Sequence, residues 1–181
     1  MILFDKIVLE KVISGGQTGA DQGGLEAARF LGYKTGGYAP RNFRTWAGNN
    51  YQLRDTFGLV ETEQANYAYR TMLNVKESDA TIRLATNFES PGELKTLQAI
   101  QKYKKPWIDV DLNLVVDIDG NEQYIIERAE DVIKFLLEHQ VRILNVAGNA
   151  DRTHQDGFGA HYFRTLLFLT WVFHRIKNEN L

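Results

Sequence analysis

The chain has 181 residues, of which 44% are hydrophobic and 24% charged, and its formal net charge is -2. This size and composition predict one globular domain that spans residues 1–181, with no charge excess for binding nucleic acid. The absence of cysteine excludes disulfides, thiolate zinc sites and cysteine nucleophiles.

The first elements predicted along the chain are a strand, a glycine-rich turn and a helix. Val and Ile content indicates a strand over 7–13, and residue spacing indicates a helix over 25–31. Glycines in the turn let the backbone approach a ligand, and the free N–H groups of a first helical turn attract anions. We therefore expect a phosphate site there, with a capped tight turn as the alternative; its residues are Gly15, Gly16, Gln17, Thr18, Gly19 and Asp21.

Strands and helices alternate through the rest of the chain. Strands are predicted at 33–37, 57–61, 79–85, 106–111 and 141–147, and helices at 66–75, 91–103, 130–139 and 157–176. The Asp119-Gly120 pair between 114–118 and 124–126 predicts a short hairpin. The alternation predicts a three-layer α/β sandwich with a mostly parallel sheet and a small hairpin insertion.

Small or polar turns follow four of the predicted strands, where ligands of parallel sheets bind. These turns lie at 15–19, 36–41, 86–92 and 148–149. Ser90-Pro91-Gly92 begins a helix and could hold a second phosphate, although a plain N-cap is an equal alternative. The long polar segment 38–55 is expected to be functional or mobile.

Side chains of the predicted helix 66–75 and of the long polar segment add further candidates. One face of this helix presents Tyr67, Arg70 or Thr71, and Asn74. Such a face suits a base, sugar or oxyanion. A solvated surface is the more ordinary interpretation. Arg41 and Arg44 could clamp phosphate or simply be solvated. The seven-residue spacing of His154 and His161 matches no known metal-ligand pattern, so no metal site is predicted.

Five segments together resemble the circularly permuted YpsA-like family, which is often labelled a molybdenum carrier family. They are 13–21 with Gly-Gly-Gln-Thr-Gly-Ala-Asp, 36–40, 65–75, 78–81 and 144–148. The resemblance implies a Rossmann-like fold of the SLOG group, which also holds the LOG phosphoribohydrolases and the nucleotide-sensing domains of some defence proteins. It also implies a nucleotide-type ligand at 15–18, at 90–96 and beside the Arg70 helix.

The chain departs from that family pattern at three places. Glu93 stands where the family's second loop has a hydroxyl, 41–46 replaces a segment that usually continues with glycine, and the predicted hairpin is an addition. The LOG motif is not reproduced residue by residue, which weakens the transfer of glycosidic-bond hydrolysis.

The leading hypothesis is a binding protein for a nucleotide, a nucleotide derivative or a related phosphate-bearing ligand. The alternatives are a hydrolase of an N-glycosidic or phosphoester bond, with Asp21 or Glu93 as acid/base and Arg70 stabilising charge, and a carrier of molybdenum cofactor, which rests on the family label alone. The predicted ligand-binding residues beyond the first turn are Gly37, Pro40, Arg41, Tyr67, Arg70, Asn74, Thr86, Ser90, Pro91, Gly92, Glu93, Thr96, Asn145, Gly148 and Asn149.

The termini bear on location and assembly. The first residues lack a signal-peptide pattern, and the most apolar stretch, 163–176, is shorter than the roughly 20 residues of a membrane span, so a cytoplasmic protein without a membrane segment is expected. That stretch is apolar on nearly every side of its predicted helix, which indicates a homo-oligomer that assembles through this helix; burial within its own domain is the alternative.

Overall fold

A computed structural model describes residues 6–115, 118–152 and 158–178 of the chain, and the side chains within the second range from 122 onward. The strands are β1 Lys11–Ser14, β2 Lys34–Gly36, β3 Tyr38–Ala39, β4 Arg44–Thr45, β5 Gly48–Asn49, β6 Val60–Glu61, β7 Ala80–Ala85, β8 Trp107–Asp111 and β9 Ile143–Gly148. The α-helices are α1 Ala20–Phe30, α2 Gln52–Asp55, α3 Tyr67–Glu77, α4 Pro91–Tyr103, α5 Ile118–Glu138 and α6 Ala160–Asn178.

A five-stranded parallel sheet in the order β2-β1-β9-β7-β8 forms the centre of the fold. The chain leaves β1 toward β2 on one side and β7 toward β8 on the other, and β9 returns between β1 and β7. This reversal is a topological switch point, beside which ligands of open parallel sheets bind. The architecture confirms the predicted α/β class with a parallel sheet flanked by helices, as in Rossmann-like folds.

Helices cover both faces of the sheet. Helices α1, α5 and α6 pack on one face, and α3 and α4 pack together on the other. The main apolar core lies on the first face, where Ile82 and Leu84 of β7 meet Phe168 and Phe173 of α6, all without measurable exposure. A smaller apolar cluster joins α3 and α4 through Val75, Ala99 and Ile100 of those helices.

Local sequence explains where the helices beside the site begin. In α4 the Ser90 side chain accepts from Glu93 N at the N-cap, and Pro91 occupies the first turn, where a missing N–H costs nothing. In α3 the Asn66 side chain accepts from Ala68 N at 2.8 Å. Among the described residues, no helix is long and apolar enough to cross a membrane.

The long polar segment is folded rather than an open loop. Within it β3 pairs in parallel with β6, and β4 pairs with β5 as a two-residue antiparallel hairpin. Leu53, Leu59 and Phe43 bury their side chains in a separate apolar cluster with Leu25 of α1. This cluster fixes the segment against the start of α1.

The predicted hairpin around Asp119-Gly120 is wrong. Helix α5 begins at Ile118 and runs through Tyr124 and Ile126. Its buried residues Ile125, Ala129, Val132 and Leu136 recur at helical spacing, so burial of a continuous helix face against the core outweighed a local two-residue turn signal. The hairpin that the structure does contain is β4–β5, which no strand pattern in the sequence indicated.

Candidate functional site

A cavity of about 520 Å³ opens at the carboxyl ends of β1, β7 and β9, between the first turns of α1 and α4 and the start of α3. Its lining combines three cations, two carboxyl groups, two aromatic rings and several small residues. The lining residues are Gln17, Asp21, Trp46, Tyr67, Ala68, Arg70, Thr71, Asn87, Ser90, Pro91, Gly92, Glu93, Lys95, Thr96, Ala147, Gly148, Asn149, Ala150, Arg152 and His161.

The glycine-rich turn before α1 has the predicted location, but side chains of the turn itself bond several of its N–H groups. Gln17 N donates to Asp21 Oδ2 at 3.1 Å, and Thr18 N donates to Gln17 Oε1 at 2.9 Å. Ala20 N donates to the main-chain oxygen of Asn149 at 3.1 Å. The Asp21 carboxyl therefore occupies the place that a bound anion would take in a phosphate loop.

A buried ion pair closes this end of the cavity. Arg70 reaches from α3 to Asp21, with Nη1 and Oδ2 3.1 Å apart. The guanidinium lies directly against Gly15, where a Cβ would overlap it in its present position, so a side chain at this position would displace Arg70. Burial raises the pKa of Asp21, and Arg70 and the Gln17 N–H only partly offset that effect. Arg70 Nε is buried and has no hydrogen-bond partner among the described residues.

The first turn of α4 forms the opposite wall. The space beside Gly92 is open, since a Cβ built there meets no atom within 4 Å. Glu93 is 2% exposed, and no hydrogen-bond partner for its Oε2 lies in the part of the chain that the structure describes. Burial raises the pKa of Glu93 to about 7, assisted by Asp21 and opposed chiefly by Arg83. This carboxyl group consequently exchanges its proton near neutral pH and can donate or accept.

A second ion pair lies beside the Glu93 main chain, behind the residues that line the cavity. Arg83 of β7, 4% exposed, binds both carboxylate oxygens of Asp109 at 2.8 and 2.6 Å. Its Nη1 also lies 3.4 Å from the Glu93 main-chain oxygen. This bidentate pairing satisfies the Arg83 charge within the fold.

The side chains of Asp151, His161 and Thr86 form a hydrogen-bonded chain, and its middle member, His161 of α6, lines the cavity. Asp151 Oδ1 lies 2.7 Å from His161 Nδ1, and His161 Nε2 lies 2.9 Å from Thr86 Oγ1. Because a carboxylate only accepts, His161 Nδ1 carries the shared proton, and in the neutral ring Nε2 then accepts from Thr86. Asp151 also accepts from Gly159 N and Tyr162 N at the start of α6. Burial opposes ionisation of Asp151, but the bonds from the His161 side chain and from the main-chain N–H groups of Tyr162 and His161 outweigh it and lower the pKa.

Two aromatic side chains flank the cavity mouth. The rings of Trp46 and Tyr67 lie 16° from parallel, with centroids 6.5 Å apart. The Arg152 guanidinium carbon lies 4.7 Å from the Trp46 centroid, and that of Arg44 lies 5.8 Å from the Tyr67 centroid.

The structure brings about half of the predicted ligand residues to the cavity surface. Those that line it are Gln17, Asp21, Tyr67, Arg70, Ser90, Pro91, Gly92, Glu93, Thr96, Gly148 and Asn149. The others lie behind the lining or away from it: Gly15, Gly16, Thr18, Gly19, Gly37, Pro40, Arg41, Asn74, Thr86 and Asn145.

Several of these other residues have structural partners. Asn74 binds both main-chain polar groups of Tyr38, at 2.8 and 3.0 Å, which fixes β3 to α3. A Cβ at Gly37 would overlap the main-chain oxygen of Ser14. Asn145 donates to Thr81 across the sheet. Arg41 is exposed and outside the lining.

The cavity lining also includes residues that were not predicted to bind a ligand, among them Trp46, Lys95, Arg152 and His161. The sequence signal for Trp46 was the long polar segment that contains it. His161 was considered only for metal binding together with His154, which lies outside the described residues. In the described part of the chain, no three His, Asp or Glu side chains are grouped to hold a metal ion.

Comparison with known proteins relates the chain to one family and one solved structure. The model of the circularly permutated YpsA SLOG family matches residues 12–163. The crystal structure of a putative molybdenum carrier protein from Syntrophus aciditrophicus SB superposes with a TM-score of 0.76 and 28% sequence identity, covering 93% of this chain and 96% of that one. No curated protein matches the chain.

Proposed function

We propose, because this chain belongs to the circularly permuted YpsA SLOG family, that its cavity binds a nucleotide, a nucleotide derivative or a related phosphate-bearing small molecule. The observation that carries the proposal is a pair of buried polar atoms in residues that line the cavity, Arg70 Nε and Glu93 Oε2, for which the described residues supply no partner. Buried polar atoms are nearly always hydrogen-bonded, so each calls for a partner from a ligand or an ordered water.

The start of α4 is the better position for the phosphate. At α1, Asp21 and Gln17 already accept from the turn's N–H groups. At α4, the open space beside Gly92 gives an anion access to the helix N-terminus, whose dipole favours negative charge. The cations Lys95, Arg152 and Arg70 line the same cavity. The proposal therefore assigns the second predicted phosphate site rather than the first.

Two substitutions at Gly92 whose new side chains are isosteric with each other test this assignment. Gly92→Asp and Gly92→Asn place side chains of one shape in the open space, and only the aspartate adds charge. An acidic residue in a first helical turn stabilises the helix, so Gly92→Asp should fold as well as its control. Isothermal titration with AMP should give micromolar binding for the wild type and at least a tenfold weaker affinity, an estimate of about 1.4 kcal/mol, for Gly92→Asp than for Gly92→Asn.

Two results would overturn the proposal. One is the absence of binding below millimolar concentration across AMP, ADP-ribose, cyclic nucleotides and inorganic phosphate. The other is equal AMP affinity in the two Gly92 variants, which would move the phosphate away from α4.

A hydrolase is the second candidate function, and a specific arrangement favours it. His161 is oriented by Asp151, and burial raises the pKa of Glu93 to about 7, so the cavity contains an imidazole held in one orientation and a carboxyl group able to exchange its proton near neutral pH. Incubation of AMP or ADP-ribose with the wild type and with His161→Gln, followed by chromatography of the products, separates binding from turnover. Unchanged ligand after prolonged incubation excludes the hydrolase.

A molybdenum compound is the third candidate ligand, favoured only by what the solved relative is named to carry. Molybdate is an oxyanion and would compete for the same helix N-terminus as phosphate. Displacement of AMP by molybdate at matched concentrations tests it, and lack of displacement removes molybdate from this site.

We further propose that α6 assembles the protein into homo-oligomers. Phe163, Leu167 and Trp171 form an exposed apolar stripe at four-residue spacing along α6, each at least 40% exposed. Leu167→Glu should convert an oligomer to a monomer in light scattering, whereas Gln101→Glu on the exposed surface of α4 should not. A monomeric wild type contradicts the proposal. A cytoplasmic location stays a prediction of the sequence.

A further inference from the structure

The Trp46 ring is held in place although it is half exposed. The residue is 52% exposed. Its main-chain N–H nevertheless donates to the buried Gln17 Oε1 at 2.9 Å. The neighbouring Thr45 is buried and binds Gly48 O at 2.7 Å across the β4–β5 hairpin. The ring therefore stands at the cavity on a fixed backbone.

The geometry of the ring pair suits a flat guest. Trp46 and Tyr67 line the same cavity with their planes 16° from parallel and their centroids 6.5 Å apart. Two aromatic contacts at van der Waals separation need about 7 Å between outer planes. Because the two planes lie no farther apart than their centroids, the pair would have to open to accept one planar ring between them.

Arginine groups complete the arrangement. Arg152 lies over Trp46 and Arg44 over Tyr67, at cation–π distances. Guanidinium planes stack on nucleobases as aromatic rings do, and their charge favours a ligand that also carries phosphate. Neither arginine forms an ion pair among the described residues.

Resting on the proposed phosphate site, we infer that Trp46 and Tyr67 form a stacking site for a planar heteroaromatic ring. The ligand class is then a flat ring joined to a phosphate, as in a purine nucleotide or a pterin phosphate, rather than a bare oxyanion or a sugar phosphate. The phosphate would lie at α4 and the ring between α3 and the β4–β5 hairpin.

Paired titrations separate the ring site from the phosphate site. AMP and ribose 5-phosphate share the phosphate and differ by the ring, so the ratio of their affinities measures ring binding. In the wild type AMP should bind about tenfold tighter or more, as expected for stacking of one base. Trp46→Leu should bring the ratio close to one without weakening ribose 5-phosphate, and Trp46→Phe should restore part of it.

The matched control is Trp107→Leu, since Trp107 is 44% exposed at the amino end of β8, away from the cavity. It should leave the ratio unchanged. The chain has three tryptophans, so Trp107→Phe with Trp171→Phe leaves Trp46 as the only indole fluorophore. AMP should quench its emission and ribose 5-phosphate should not.

The outcomes distinguish the two proposals. Equal affinity for AMP and ribose 5-phosphate in the wild type overturns the ring site and leaves the phosphate site standing. A wild-type ratio that Trp46→Leu preserves also overturns the ring site. Absence of binding by both compounds and by ADP-ribose, cyclic nucleotides and inorganic phosphate overturns the proposed function together with the inference that rests on it. Neopterin monophosphate, titrated in parallel, decides between the two ring sources by its affinity relative to AMP.

Discussion

The two faces of the central sheet use different chemistry. On the face covered by α1, α5 and α6, Ile82, Leu84 and Leu144 pack into an apolar core. On the face covered by α3 and α4, alternate positions of the same strands bury Thr81, Arg83 and Asn145 instead. Because successive residues of a strand point to opposite faces, one run of sequence supplies both surfaces.

We expect this difference to separate stability from the proposed ligand binding. Apolar burial contributes most of the favourable free energy of folding, so we expect the first face to dominate stability. Buried ionisable groups carry a desolvation cost and are retained where they serve a site. The α3/α4 face leads to Asp21, Arg70 and Glu93 at the cavity, and four substitutions test this division.

The largest expected change in the free energy of unfolding comes from a substitution on the apolar face. Phe173→Ala removes a fully buried ring whose centroid lies 5.3 Å from that of the Tyr33 ring. The substitution should lower the free energy of unfolding by roughly 3–5 kcal/mol. Phe30→Ala, at a 73% exposed position of α1, should change it by less than about 0.5 kcal/mol. Urea denaturation measures both, and similar values for the two variants would contradict an apolar face that dominates stability.

The next largest change in stability is expected from a substitution on the polar face, and its size depends on pH. The folded-state pKa of Glu93, about 7, lies above its ordinary value of 4.5. The folded protein then holds a proton that the unfolded chain releases, so wild-type stability should fall as pH rises from about 4.5 to about 7, by roughly 3 kcal/mol at most. Glu93→Gln should remove this loss, whereas Glu89→Gln, at an exposed position, should retain it. Parallel stability curves for wild type and Glu93→Gln would refute the raised pKa.

A smaller effect is expected at Asp151, which serves both faces. Its carboxylate accepts from main-chain N–H groups at the start of α6 and from His161 at the cavity. Asp151→Ala should cost about 1–2 kcal/mol, in the range of a lost helix cap. Its lowered pKa means that this contribution is present above the ordinary value of 3.8 and disappears as pH falls below it. Thermal unfolding at pH 7 and pH 3 checks the sign, and Glu122→Ala on the exposed part of α5 is the control.

The smallest stability effect should come from Gly92→Ala. The added methyl group enters open space, and alanine favours a helix over glycine by about 1 kcal/mol or less. The contrasting variant is Gly148→Ala, because a Cβ there would overlap the main-chain oxygen of Leu84. Denaturation should show a slight gain for the first and a clear loss for the second, and a loss for both would mean that the start of α4 is less open than described.

Local sequence patterns predicted the elements because helices and strands have distinct periods. The spacing of Pro91 to Tyr103 gave α4 with its observed ends, and the glycines after β1 located the first turn. The pattern failed at Asp119-Gly120, where a strong local turn signal lies in α5. Tertiary burial of that helix's apolar face decided the outcome.

The sequence by itself determined the fold class, the sheet edge that holds the site and the two helix N-termini at that edge. Only the tertiary structure showed that Asp21 and Gln17 accept from the first turn, that Glu93 is buried, and that Asp151, His161 and Thr86 meet. It also brought Trp46 beside Tyr67. These contacts join residues from separate elements, and pKa shifts and stacking depend on distances that spacing along a chain does not specify.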